Sequence, residues 1–128
     1  MPIRSYHDLI VWQKSFSFAF EVYHLTVVFP RHELFGITAQ LRRAAVSIAT
    51  NISEGHGRET RGEFLNQLSV AQGSANESET LLLFSHKLGY GDQQLIDQLL
   101  SQLNEVQRML ARMRSRLREG RKSKPLHT

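Results

Sequence analysis

The sequence predicts an all-α protein, an up-down-up-down antiparallel four-helix bundle, and three observations carry that expectation. Apolar residues recur at steps of three and four over four long stretches. Turn formers separate the stretches: Phe29-Pro30, Gly55-His56-Gly57 and Gly89-Tyr90-Gly91. No segment alternates as a strand would. At 128 residues the chain is read as one domain with a core of its own. It has no cysteine, which excludes disulfides, thiolate chemistry and Cys-based metal sites.

The first helix is expected over about 8–29, with Leu9, Trp12, Phe16, Phe20, Tyr23 and Val27 as its inward seam. Asp8 can cap its start and Pro30 ends it. The second is expected over about 33–53, where Leu41, Ala44, Ala45, Ile48 and Ile52 form one stripe and Gly55 closes the run. Thr60-Arg61-Gly62-Glu63 reads as a capping box opening the third helix, about 60–88. Its seam is Phe64, Leu68, Ala71, Ala75, Ser78, Leu82 and Ser85. Asp92 caps the fourth helix, about 92–119, whose seam of Leu99, Leu103, Val106, Leu110, Met113 and Leu117 alternates steps of four and three. Residues 120–128 read as a basic, flexible tail.

Short connections make sequential helices antiparallel neighbours. Counting outward from each turn sets Phe16 and Trp12 opposite Ala45 and Ala49, large against small. Arg43 and Ala44 then fall near Gly73, a glycine expected to permit close helix contact because it otherwise weakens a helix. Ala71 lies opposite Met109, and Phe64 near Arg116.

The net charge of +4 is unevenly spread. Residues 1–107 carry 8 Lys/Arg against 11 Asp/Glu, whereas residues 108–128 carry 8 against Glu119 alone. Such a split points to an anionic partner. The bundle topology brings Arg4, Arg58, Arg61, Arg114, Arg116, Arg118, Arg121, Lys122 and Lys124 to one end, with His56 nearby. The other end, with Arg31, His32, Glu33, Lys87 and Asp92, is roughly neutral. These nine cationic residues are the candidate nucleic-acid-binding set.

Catalytic and metal chemistry find little support. Glu21-Val-Tyr-His24 has the Glu-x-x-His spacing, but a di-iron bundle needs two such motifs and there is one. Gly55-His56-Gly57 is too short for a phosphate loop. Nothing in the spacing selects Ser47, Ser53, Ser74, His56 and Glu54 as a hydrolase set, and helical serines usually bond their own backbone. No catalytic residue, metal or cofactor is expected. Trp12, Arg42, Arg43, Asn51, Glu54, Gly73 and Glu77 read as architecture, setting register or meeting a second subunit, with Arg43 within a turn of Glu77 and Glu54 close to Arg58 and Arg61. Val11, Phe18, Val22 and Leu25 lie off the expected first-helix seam, as Leu83 and Phe84 do on the third. That surplus apolar surface suggests self-association.

The residues resemble a bacterial four-helix-bundle family named after the 23S ribosomal RNA intervening-sequence protein. The likeness rests on Asp8-Leu9-Ile10-Val11-Trp12-Gln13-Lys14, Phe29-Pro30 with Glu33, and Gln40-Leu41-Arg42-Arg43-Ala44-Ala45. It continues through Ser47-Ile48, Asn51-Ile52-Ser53-Glu54-Gly55, Arg58, Phe64, Ala71, Gly73-Ser74, Glu77 and Leu88-Gly89-Tyr90. A related branch holds the accessory protein of diversity-generating retroelements, which partners a reverse transcriptase and nucleic acid. The resemblance implies a ring, most often a homopentamer, without established catalysis and with loose nucleic-acid association. The basic end of the fourth helix stands outside the motif. The reading is therefore a non-enzymatic, ring-forming bundle that binds RNA or DNA backbone through a basic pole. Its rival is a scaffold docking another protein, such as a reverse transcriptase. No signal peptide or membrane-spanning run is seen at the sequence level, so a cytoplasmic location is expected.

Overall fold

The computed structural model describes residues 3–123, without the side chains of 121–123. Helices α1 (Ile10–Thr26), α2 (Ile37–His56), α3 (Arg61–Leu88) and α4 (Gln93–Ser123) follow in order, with 3-10 turns at Tyr6–Asp8 and Arg31–Glu33. Among the described residues, α1 packs on α2 and α4, and α3 packs on α2 and α4, while the diagonal pairs do not meet. That is a square up-down-up-down bundle. Its core runs from Phe18, Val22 and Leu25 through Leu41, Ile48, Leu68 and Leu82 to Leu99, Leu103 and Leu110.

The expected seams of α3 and α4 hold. Leu68, Ala71, Ala75, Ser78, Leu82 and Ser85 are buried, as are Leu99, Leu103, Val106 and Leu110, with Met113 and Leu117 packed alongside. Thr60 accepts from the Glu63 amide at 3.1 Å, and Asp92 accepts from the Gln94 amide at 2.9 Å. Gly89 closes α3 in the left-handed region at φ 75.

Helix α1 is the correction. Its buried face is Val11, Ser15, Phe18, Ala19, Val22, Leu25 and Thr26; of the expected seam, Leu9 and Trp12 are half-buried beside the core, while Phe16, Phe20, Tyr23 and Val27 face outward. Phe16 is 55% exposed, Phe20 50% and Val27 73%. Both faces carry apolar residues at helical spacing, and two hydroxyls disguise the one that wins. Ser15 donates to the Val11 carbonyl at 2.7 Å and Thr26 to the Val22 carbonyl at 2.9 Å, so each is buried at little polar cost.

Boundaries also shift. Asp8 does not cap α1: its carboxylate accepts from the Arg4 and Ser5 amides and completes a capping box with Ser5 over the first 3-10 turn. Helix α2 starts at Ile37 rather than near 33, because Arg31–Glu33 forms its own turn and the Glu33 carboxylate caps the Ile37 amide at 3.2 Å. It runs through Gly55, which is a contact residue, to His56. A Cβ on Gly55 would lie 2.7 Å from the Gln67 Cβ and 2.8 Å from the Phe64 Cδ1. Gly73, expected to play that part, is exposed with nothing within 4 Å of its missing Cβ. Helix α4 passes Gly120, where the tail was expected to begin, and continues to Ser123. Residues 124–128 lie outside the described residues.

Candidate nucleic-acid interface

Three chain segments meet at one end of the bundle: the start of α1, the α2–α3 turn and the end of α4. Each is held there by local chemistry. The Arg4 amide is tied to Asp8 at 2.8 Å, which leaves its side chain exposed. Gly57 closes α2 with its amide on the Ser53 and Glu54 carbonyls, and Arg58 follows on the surface. Arg61 opens α3 and lies across to α4, where its Nη1 would be 2.5 Å from a Cβ on Gly120. The glycine thus lets α3's first residue press against α4's last turns.

On α4 the arginines fall into two rows. Arg114 and Arg118 are one turn apart; Arg114 is half-buried, its Nε enclosed with no hydrogen-bond partner, and Arg118 is exposed. Arg108, Arg112 and Arg116, also at steps of four, are all exposed. Arg108 and Arg112 were missed as candidates, although their i, i+4, i+8 spacing with Arg116 was the available signal. They carry the cationic surface two turns up α4 from the pole. Lys124 lies outside the described residues, as do the side chains of Arg121 and Lys122. His56 is half-buried, edge-on to Phe64 at 6.0 Å.

The ion pairs among the described residues are Lys14–Glu105, His32–Glu33 and His86–Asp97, so no arginine with a described side chain is in one. Exposed acids stand nearby at Glu54, Glu59, Glu63 and Glu119. The expected Arg43–Glu77 and Glu54–Arg58/Arg61 pairs are absent: Arg43, Glu54 and Glu77 are exposed and unpaired. What α2 and α3 do share is polar and small. Ser47 and Ser74 hydroxyls are 2.8 Å apart, and Asn51 donates to the Ser47 hydroxyl at 2.9 Å and to its carbonyl at 2.8 Å.

Arg42 turns the other way, towards α1. Its Nε donates to the Thr26 hydroxyl at 2.8 Å, and its guanidinium lies 4.7 Å over the Tyr23 ring. Trp12 sits half-buried among Tyr6, His7 and Phe16, at 5.1, 5.1 and 5.2 Å between ring centres. Together Trp12, Phe16, Phe20 and Tyr23 form the wall of an open groove of about 490 Å³, faced by Val46, Ala49, Thr50 and Ser53 of α2.

At the neutral end Glu33 joins three segments. Beyond capping Ile37, it accepts from the Tyr90 hydroxyl at 3.0 Å. The amide and phenol hold its carboxyl below the usual carboxylate range, and the same contact raises the Tyr90 phenol. Among the described residues no group of three or more His, Cys, Asp or Glu could hold a metal ion. No described helix is long and apolar enough to cross a membrane.

Comparison with known proteins adds a family and a solved fold. A family model described as 23S rRNA-intervening sequence protein matches residues 7–112. A crystal structure from Bacteroides thetaiotaomicron, of a protein with unknown function from the S23 ribosomal protein family, superposes with a TM-score of 0.71 at 27% identity. The match covers 79% of this chain and 94% of that one. No curated protein matches.

Proposed function

The chain belongs to the 23S rRNA-intervening sequence protein family, and from that premise we propose a non-enzymatic bundle that assembles into a ring and binds RNA or DNA backbone. The observation that carries the binding is the cationic end: exposed Arg4, Arg58, Arg61, Arg116 and Arg118, extended along α4 by Arg108 and Arg112, none of them in an ion pair. The family match spans residues 7–112, so Arg4, Arg116 and Arg118 stand outside it, whereas Arg58, Arg61, Arg108 and Arg112 fall within it.

Contacts from these guanidinium groups to phosphate would position nucleic acid without reading its sequence. If each subunit neutralises about five phosphates, log K falls against log salt with a slope near −3.5 for single strands and −4.5 for duplex DNA. Several subunits in one assembly multiply such contacts by avidity. The support for assembly is the outward aromatic face of α1, a large apolar surface for a lone bundle. A cytoplasmic setting fits this reading.

The test is fluorescence anisotropy with single-stranded RNA and duplex DNA across a salt series. The comparison protein carries Arg108, Arg112, Arg116 and Arg118 changed to Gln. The expected result is a slope reduced by about three to four units. Unchanged affinity and slope would overturn the assignment of the pole. The rival reading, docking of a partner protein without nucleic-acid contact, is favoured by the exposed apolar residues at the neutral end, where Phe35 is 92% exposed. It would gain from a wild-type protein that binds neither probe at low salt.

A further inference from the structure

We infer that the α1–α2 groove is filled by the outer face of α3 from a second copy, with Glu77 of that copy meeting Arg42. The inference rests on the assembly proposed above and gives it an interface.

Arg42 is the starting point. Its side chain is half-buried and fixed twice, through Nε on Thr26 and through its face on Tyr23. The two terminal amino groups form the edge a guanidinium uses for bidentate carboxylate contact, and here they have no partner among the described residues. No Arg42 atom is both buried and without a partner, so these amino groups reach the surface, held in one orientation and open to an incoming carboxylate. The guanidinium stands at the Tyr23 end of the aromatic groove, so whatever pairs with it must combine a carboxylate with an apolar surface.

Helix α3 offers that combination. Val70, Gly73, Glu77, Thr80 and Phe84 follow steps of three and four, lie on one stripe, and are all exposed. Glu77 is unpaired. Gly73 leaves the stripe bare between Val70 and Glu77, with open space where a Cβ would be. A glycine weakens a helix by about 0.5–1 kcal/mol relative to alanine. Within its own chain Gly73 gains no close contact in return; against an aromatic ridge it gives the rings access to the backbone.

The levels also agree. Ser47 opposite Ser74 sets the register of the antiparallel pair α2 and α3. Counting from it, Glu77 is level with Ala44, two residues from Arg42. Val70 is level with Asn51, beside Thr50 on the groove. Phe84 is level with Ile37, towards the Val27 end. Copies set side by side with their bundle axes aligned therefore bring apolar, acidic and apolar positions of α3 to the heights of Thr50, Arg42 and Val27. Groove and stripe are different surfaces, so the contact is head-to-tail, the type that closes rings when the rotation permits.

The experiment is sedimentation velocity at micromolar concentration on the wild type, R42E, E77R, the R42E/E77R exchange and G73W, each checked for native helix content by circular dichroism. We expect a wild-type oligomer, smaller species for R42E, E77R and G73W, and recovery of the oligomer in the exchange. A wild-type monomer overturns the assembly itself. A wild-type oligomer unaffected by E77R and G73W overturns this interface and leaves assembly standing. Both of those positions are exposed, so they decide the matter even if R42E disturbs the fold. Failure of the exchange to recover an oligomer that both single changes break removes the Arg42–Glu77 contact.

Discussion

One substitution made at two glycines tests the packing directly. On the α2–α3 contact, Gly55→Ala places a methyl 2.7 Å from the Gln67 Cβ and 2.8 Å from the Phe64 Cδ1, closer than carbon atoms tolerate. Overpacking of this kind costs about 1–3 kcal/mol. The helix gains at most about 0.5–1 kcal/mol from replacing glycine, so a net loss near 1–2 kcal/mol is expected. At Gly73 an added Cβ would meet nothing within 4 Å beyond its own helix backbone, and the same change keeps only the gain. An unfolding entropy of about 2.1 cal/mol/K per residue makes each kcal/mol worth about 4 °C in a chain of this size. Gly55→Ala should therefore lower Tm by about 4–8 °C, and Gly73→Ala should raise it by about 2–4 °C. Urea unfolding at a concentration low enough to exclude association measures both as midpoint shifts at constant slope. Equal destabilisation by the two changes, or a neutral Gly55→Ala, would refute the placement of the close contact.

The reversal of α1 gives a second prediction: Phe18→Ala should cost about 3–5 kcal/mol, as for a buried aromatic, whereas Phe16→Ala should change the stability of the single bundle by under about 1 kcal/mol. Urea melts of the two variants check it, and equal losses would restore the other face. A third concerns pH. The Glu33 carboxyl is held low in the folded chain, so its contribution is present above the unfolded carboxylate range and is lost as pH falls through the folded value. Glu33→Gln should therefore flatten the acid side of the stability curve, with little change in its slope near neutrality. The Tyr90 phenol is raised, so its contribution is complete below the ordinary phenol value and is lost as pH climbs past the folded one. Tyr90→Phe should flatten the alkaline side, measured by melts between pH 8 and about 11.

Much of the architecture was legible because one signal dominated in each place. On α4 the apolar positions are few and evenly spaced, so only one face can be buried. Thr60 and Asp92 announce their helices because their side chains serve the first amides and little else. Helix α1 was illegible for the opposite reason: two apolar stripes compete, and the choice depends on Ser15 and Thr26 satisfying themselves within the helix. Close approach at Gly55 rather than Gly73 depends on where Phe64 and Gln67 project, which no spacing rule states. The cationic pole followed from charge and topology alone. Its extension through Arg108 and Arg112 was also signalled by their spacing with Arg116, and the structure shows all three exposed on α4.

The Glu33–Tyr90 contact has a consequence for the order of folding. It links residues 57 positions apart, the longest reach among the side-chain hydrogen bonds of the described residues, and joins the α1–α2 hairpin to the α3–α4 hairpin. Each hairpin can form on contacts close in sequence, which are the fast ones to make. A bond between the two hairpins is expected to form late, after the rate-limiting barrier. Removing it with Tyr90→Phe should leave the refolding arm of a chevron unchanged and raise the unfolding arm. The tie at the neutral end is then a kinetic latch: it governs how long a folded bundle stays closed, and has little to do with how quickly it closes.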